Sequence, residues 1–247
     1  MKTKAIKFIM KFGGIMNKFK KTDSLTFLKG LEKESVNLVL TDPPYIISKK
    51  TGFESVVTGV RRFAHSTEFG DWDKEHNFSL ADLEDSINEY YRVLVKGGTA
   101  IVFCDIWKVS YVKEMFEKAK FKQIRMIEWV KTNPVPLNSK RNYLTNAREV
   151  ALTGVKISKP TFNSEYDKGF YHYPICHEKG RFHPTQKPTA MFEELILKHS
   201  NEGDLVIDTF AGAATTLVAA HNTDRLYAGC EPDDEYYDKA KERLDNL

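Results

Sequence analysis

Of the 247 residues only three are cysteines, Cys104, Cys176 and Cys230, widely spaced and never arranged as C-x-x-C. This excludes a disulfide framework and a cysteine-based zinc site, and it fits a reducing, cytoplasmic setting. No apolar run is long enough to span a bilayer, so membrane integration is not expected. Internal repeats and low-complexity tracts are absent too. Four metal-capable side chains, His172, Cys176, His177 and His183, match no common zinc spacing, and no metal is expected. Residues 1–21 lack any acid or arginine but hold seven lysines; with a formal net charge of +3 overall, the rest of the chain is net −4. A basic arm of this kind fits phosphate contact, a solvated terminus or, less well, a targeting segment.

What is present reads as one α/β domain carrying a modest insertion. Val36–Leu40 is a short apolar run halted by Asp42-Pro43-Pro44, a buried strand stopped by proline. Residues 46–78 are polar without a period and read as a long functional loop. Helical spacing over Leu80–Leu94 closes at Gly97-Gly98, and a strand Thr99–Cys104, a helix Val109–Ala119 and a strand Ile124–Val130 follow. Residues 131–182 are rich in Asn, Pro, Tyr and basic residues, with one strand at Glu149–Thr153. Then come a helix Thr189–His199, a strand Leu205–Ile207, a helix Thr215–His221, a strand Leu226–Gly229 and a final helix from Asp233. This alternation predicts a doubly wound, mostly parallel sheet with helices on both faces.

Two segments carry chemistry. Asp208-Thr209-Phe210-Ala211-Gly212-Ala213-Ala214-Thr215 joins a strand to a helix through small residues, which let a helix N-terminus approach a ligand. Nineteen residues beyond Gly212, Glu231 ends the next strand, where an acid can accept both hydroxyls of a ribose. The missing G-x-G-x-x-G favours a nucleoside without a pyrophosphate. Because Ala214 leads straight into the helix, a right-handed backbone is expected there. The second segment is Asp42-Pro43-Pro44-Tyr45. Two prolines remove backbone donors, so carbonyls and the Asp42 carboxylate make an acceptor-only pocket beside an aromatic ring. An aryl amino group suits it, giving its two N–H bonds to Asp42 and the Pro43 carbonyl while Tyr45 stacks on its ring.

Together with His183-Pro184-Thr185-Gln186-Lys187-Pro188, these segments resemble the β class of DNA amino-methyltransferases, restriction-modification enzymes that use S-adenosylmethionine (AdoMet). Phe69-Gly70-Asp71-Trp72-Asp73, the stretch Trp129 to Pro136, and Thr145-Asn146-Ala147-Arg148-Glu149 extend the resemblance to nearly the whole chain from Lys21. It implies a Rossmann-like, circularly permuted fold: a basic arm (1–21), a catalytic half (22–130), a target-recognition insertion (131–182) and an AdoMet-binding half (183–247). It also implies that Asp42, Pro43, Pro44 and Tyr45 are catalytic and that Asp23 and Glu231 approach the adenosine of AdoMet. Thr185 and Lys187 would approach its carboxylate, Phe210 would pack on it, and Asp42, Asp208, Gly212, Ala213 and Thr215 would complete the cofactor site. The usual F-x-G-S-G turn is departed from at Ala213 and Ala214.

In the insertion, Lys131, Lys140, Arg141 and Arg148 suit phosphates, and Asn133, Asn138, Tyr143 and Asn146 suit base edges; His183 of the His-Pro-Thr segment joins them as a structural or substrate-contacting residue. The partner so implied is double-stranded DNA, with a cognate restriction endonuclease and a homodimer as further expectations. The aspartate of Asp42-Pro43-Pro44-Tyr45 points to adenine N6. Cytosine N4 methylation and a non-catalytic DNA-binding protein are the alternatives. A base stacked in a duplex must be extruded to reach Asp42.

Overall fold

The computed structural model describes residues 17–45, 78–134, 144–157, 159–176 and 180–247. Among these residues eight strands form one sheet: β1 (Lys18–Lys20), β2 (Val36–Thr41), β3 (Leu94–Cys104), β4 (Lys122–Lys131), β5 (Arg148–Val155), β6 (Phe170–Tyr173), β7 (Leu205–Asp208) and β8 (Leu226–Cys230). Their order is β1-β8-β7-β2-β3-β5-β4-β6, and only β5 runs against the others. Among the described residues there are six α-helices, α1 (Ser24–Lys29), α2 (Leu80–Val93), α3 (Val109–Lys118), α4 (Thr189–His199), α5 (Thr215–Asn222) and α6 (Asp234–Asp245).

Alternation along the strands divides the core in two. Val39, Ala100, Val102 and Ile207 pack against α1, α2 and α3, while Leu38, Leu40, Ile101 and Val206 pack against α4, α5 and α6. Helices therefore cover both faces, as the sequence predicts, and the central strands read as continuous apolar runs for that reason. Asp23 caps α1, Ser79 and Asp82 form a reciprocal capping box on α2, and Asp233 caps α6.

Two expectations change. Gly97-Gly98 does not close a helix: α2 stops at Val93 and the glycines lie inside β3, where Gly97 takes φ +83° as the register against β2 shifts. The cause is a bulge, with the Gly97 N–H turned to the carbonyl oxygens of Lys156 and Ile157. The 131–182 segment is also more than an insertion, since β5 is buried between β3 and β4 and β6 extends the sheet at its edge. Residues 1–16, the 46–77 part of the expected loop with Phe69–Asp73, and Lys140, Arg141, Asn138, Tyr143 and His177 lie outside the described residues.

Candidate active site

All parallel strands point their carboxyl ends to one edge, and the antiparallel β5 begins there. In open α/β sheets that edge is where ligands bind. It gathers Asp42 after β2, Asp208 at the end of β7, Glu231 after β8, Lys131 at the end of β4 and Glu149 at the start of β5. The β4–β5 register sets Trp129 opposite Glu149.

Asp42 shares one carboxylate oxygen with the Lys187 ammonium. Lys187 also reaches Glu149 at 3.1 Å, and Glu149 binds Lys131 at 2.7 Å. The result is a chain of alternating charge, Asp42–Lys187–Glu149–Lys131, in which the Lys187 side chain is only 6% exposed. The Tyr45 hydroxyl donates to Glu149 at 3.3 Å, and Lys187 lies 5.6 Å from the Tyr45 ring centre and 5.5 Å from that of Phe103. Burial pushes the Asp42 carboxyl up against the pull of Lys187. Burial also opposes ionisation of Glu149, but the two lysines overcome it and hold that carboxyl below its ordinary value. The other Asp42 oxygen, Oδ1, is buried and has no hydrogen-bond partner among the described residues.

The second half of the site lies across β7 and β8. Glu231 accepts the Gly212 N–H at 2.8 Å through one oxygen and the Asp233 N–H at 3.0 Å through the other, and burial raises its pKa to about 7. The parallel pairing of β1 with β8 brings Asp23 to the same edge, with Glu231 N–H donating to the Lys20 carbonyl. Gly212 has φ +49°, and a Cβ there would meet the His183 ring at 3.4 Å. These acids beside a small-residue turn are an acceptor set suited to the hydroxyls and amino group of a nucleoside, so the residues present fit AdoMet. Phe210 packs edge-on against Phe78 at 5.0 Å, Thr215 opens α5, and the buried Ala213 gives its carbonyl to Arg243.

Several side chains sit differently from expectation. Asp208 spends its carboxylate internally, accepting from Thr41 and Thr216 at 2.6 Å and from the Phe210 N–H at 3.0 Å; burial raises its pKa to about 6. It ties the end of β2 to the turn before α5. Lys187 faces Asp42 and Glu149, and His183 packs on Gly212 and Tyr236, with the Thr185 N–H reaching its ring at 3.3 Å and burial lowering its pKa to about 4. Lys131 is a half-buried ion-pair member rather than a surface cation, and the Asn133 side chain accepts the Ile175 N–H at 2.6 Å. Arg148, 63% exposed, and Asn146 remain on the surface at this edge. Ala214 has φ +59° and ψ 30°, left-handed, not the expected right-handed form. Its N–H bonds the Ala211 carbonyl, so the turn closes one residue before the helix begins. Glu149 ends the motif Thr145–Glu149 with no local signal of its role, because its partners Tyr45, Lys131 and Lys187 are distant in the chain.

Residues 36–242 match the DNA methylase family of N6 and N4 methyltransferases. Type II methyltransferase M2.DpnII of Streptococcus pneumoniae is 28% identical, over 95% of this chain and 96% of its own. Type II methyltransferase M.HpaI of Haemophilus parainfluenzae is also 28% identical, over 91% and 73%. The crystal structure of the M1.HpyAVI–SAM complex superposes with a TM-score of 0.69 at 28% identity, covering 93% of this chain and 99% of that one. PvuII cytosine-N4-specific DNA methyltransferase shares the fold, with a TM-score of 0.71 at 17% identity over 92% and 89%. The chain accordingly belongs to the DNA methylase family and is an AdoMet-dependent DNA methyltransferase.

Proposed function

We propose that the protein methylates the N6 amino group of adenine at a short, specific site in double-stranded DNA after extruding the target base. The observation that carries this reading is the Asp42 carboxylate, with one oxygen engaged by Lys187 and the other buried and open beside Tyr45. A buried acceptor left unpaired costs about 1–3 kcal/mol, and a substrate N–H removes that cost. Adenine brings two: Asp42 Oδ1 takes one and the Pro43 carbonyl the other, while the Tyr45 ring stacks on the base. Accepting both discourages delocalisation of the nitrogen lone pair into the ring and aims it outward. AdoMet, when bound, supplies an electrophilic methyl group for in-line displacement. Lys187 favours the ionised Asp42 against burial, and Glu149 holds Lys187 in place, so the acceptor is set before the base arrives.

Asp23 and Glu231 hold the nucleoside of the cofactor in this reading, with the Phe210-to-Thr215 turn enclosing it. Arg148 and Asn146 meet the duplex at the same edge. A restriction endonuclease cutting the same unmethylated site is the expected companion. The test is methylation-sensitive sequencing of unmethylated phage DNA incubated with the purified protein and AdoMet. N6-methyladenine at one short motif is expected; N4-methylcytosine would overturn the assigned base, and unmodified DNA the activity. Asp42→Ala should abolish incorporation and leave AdoMet binding within about twofold, since the carboxylate faces the base.

A further inference from the structure

Trp107 is 87% exposed, unusual for a large indole, and Ile106 and Tyr111 beside it are 48% and 57% exposed. The indole sits on a 3-10 turn (Ile106–Lys108) that leaves the end of β3 and leads into α3. Its backbone is held, since Asp105 accepts the Trp107 N–H at 3.0 Å. Two contacts locate the turn. Lys108 Nζ donates to the Tyr45 carbonyl at 2.5 Å, and the β3–β5 register pairs Cys104 with Val150, so the turn emerges beside Arg148 and Glu149. The Trp107 backbone thus lies at the rim of the pocket, one residue from a direct contact with the Pro-Pro-Tyr segment, and its indole is exposed there.

We propose that Trp107 is a DNA contact, stacking on the bases uncovered when the target nucleotide leaves the duplex, with Ile106 as an apolar neighbour at the same step. This rests on the methyltransferase reading. A base reaching Asp42 and Tyr45 is carried by a duplex whose grooves alone are about 6 and 12 Å wide, so the rim beside Tyr45 lies under that duplex. Extrusion exposes the faces of neighbouring bases, and an aromatic or apolar side chain in the gap offsets the lost stacking. Stacking of this kind is tolerant of sequence, because every base has a π-face. The exposed Arg148 guanidinium supplies a phosphate partner next to it.

The experiment titrates AdoMet-loaded wild type, Trp107→Ala and Trp107→Phe with a fluorescently labelled duplex carrying the methylated motif found by sequencing, at several salt concentrations. Trp107→Ala should bind about tenfold more weakly, ~1.4 kcal/mol, by a factor that stays constant as salt rises, and Trp107→Phe should recover most of the loss. AdoMet affinity and melting temperature should be unchanged, as expected of an exposed side chain. Duplex affinity within twofold of wild type in Trp107→Ala would overturn the proposal. So would loss of self-association with DNA binding intact, which would make the indole a contact between two copies of the chain. Failure of the underlying reading is seen in wild type alone, as DNA left unmethylated.

Discussion

A single dihedral angle separates the expected from the observed turn before α5. The sequence Gly212-Ala213-Ala214-Thr215 reads as a helix start, and nothing local warns that Ala214 takes φ +59°. The left-handed form costs an L-residue about 1–2 kcal/mol, whereas its fully buried methyl contributes about 0.8 kcal/mol. Ala214→Gly should therefore stabilise the protein by roughly 0.5 kcal/mol, read as a higher midpoint in urea; a loss of about 1 kcal/mol would mean that packing outweighs strain. Glu149 offers the second test at this scale. It holds Lys187 and Lys131 and accepts from Tyr45, so Glu149→Gln keeps the shape but removes the carboxylate that the two lysines share and leaves Lys187 with Asp42 alone. The expected result is about a tenfold fall in kcat, ~1.4 kcal/mol, with AdoMet affinity within twofold. A variant with wild-type kcat would show that Lys187 alone positions Asp42.

Helices and strands were legible where the apolar period was long and illegible where elements were short. The helix at Thr189–His199 and the central strands stand out from the pattern, but β1 is three residues of Lys-Phe-Lys, β6 is four, and α1 is six. None is long enough to display a period, and tertiary pairing fixes all three. The same pairing matters chemically, because β1 beside β8 holds Asp23 and Glu231 together. Glu231 makes this part of the site sensitive to pH. The unfolded chain releases this proton near the ordinary glutamate value of 4.5, whereas burial holds it in the folded state to about 7. Between those values the folded protein binds more protons, so the contribution of Glu231 to stability falls as pH rises from 4.5 to 7 and is level beyond. Ribose hydroxyls donate to the ionised carboxylate, so AdoMet affinity should rise with pH up to about 7 and binding at about pH 6 should release protons. Calorimetry in two buffers of different ionisation enthalpy would measure that release and its loss in Glu231→Gln. Identical apparent enthalpies for wild type would remove Glu231 from the cofactor site.

At the scale of the whole molecule, the motifs Asp42–Tyr45, His183–Pro188 and Asp208–Gly212 announced the fold class and the site's edge, but not which cations face solvent. Arg148 and Lys131 look equivalent in the sequence, two basic residues in a polar segment. The sheet separates them: Arg148 begins β5 with its side chain 63% exposed and a loose 3.6 Å contact to Glu128, while the Lys131 side chain is 10% exposed on Glu149. Only an accessible cation can displace the counterions condensed on DNA, so the two variants should behave differently. Arg148→Ala should weaken duplex binding several-fold at low salt and lower the slope of log affinity against log salt by about 1, so that the deficit shrinks as salt rises. Lys131→Ala should leave that slope unchanged and act within the protein. Removing one member of a largely desolvated pair leaves Glu149 with Lys187 alone, which draws Lys187 from Asp42, lowers kcat and lowers the melting temperature. Filter binding across a salt series, paired with thermal melts of both variants, decides between these roles. A reduced salt slope in Lys131→Ala with an unchanged melting temperature would show that its ion pair opens to phosphate when DNA docks.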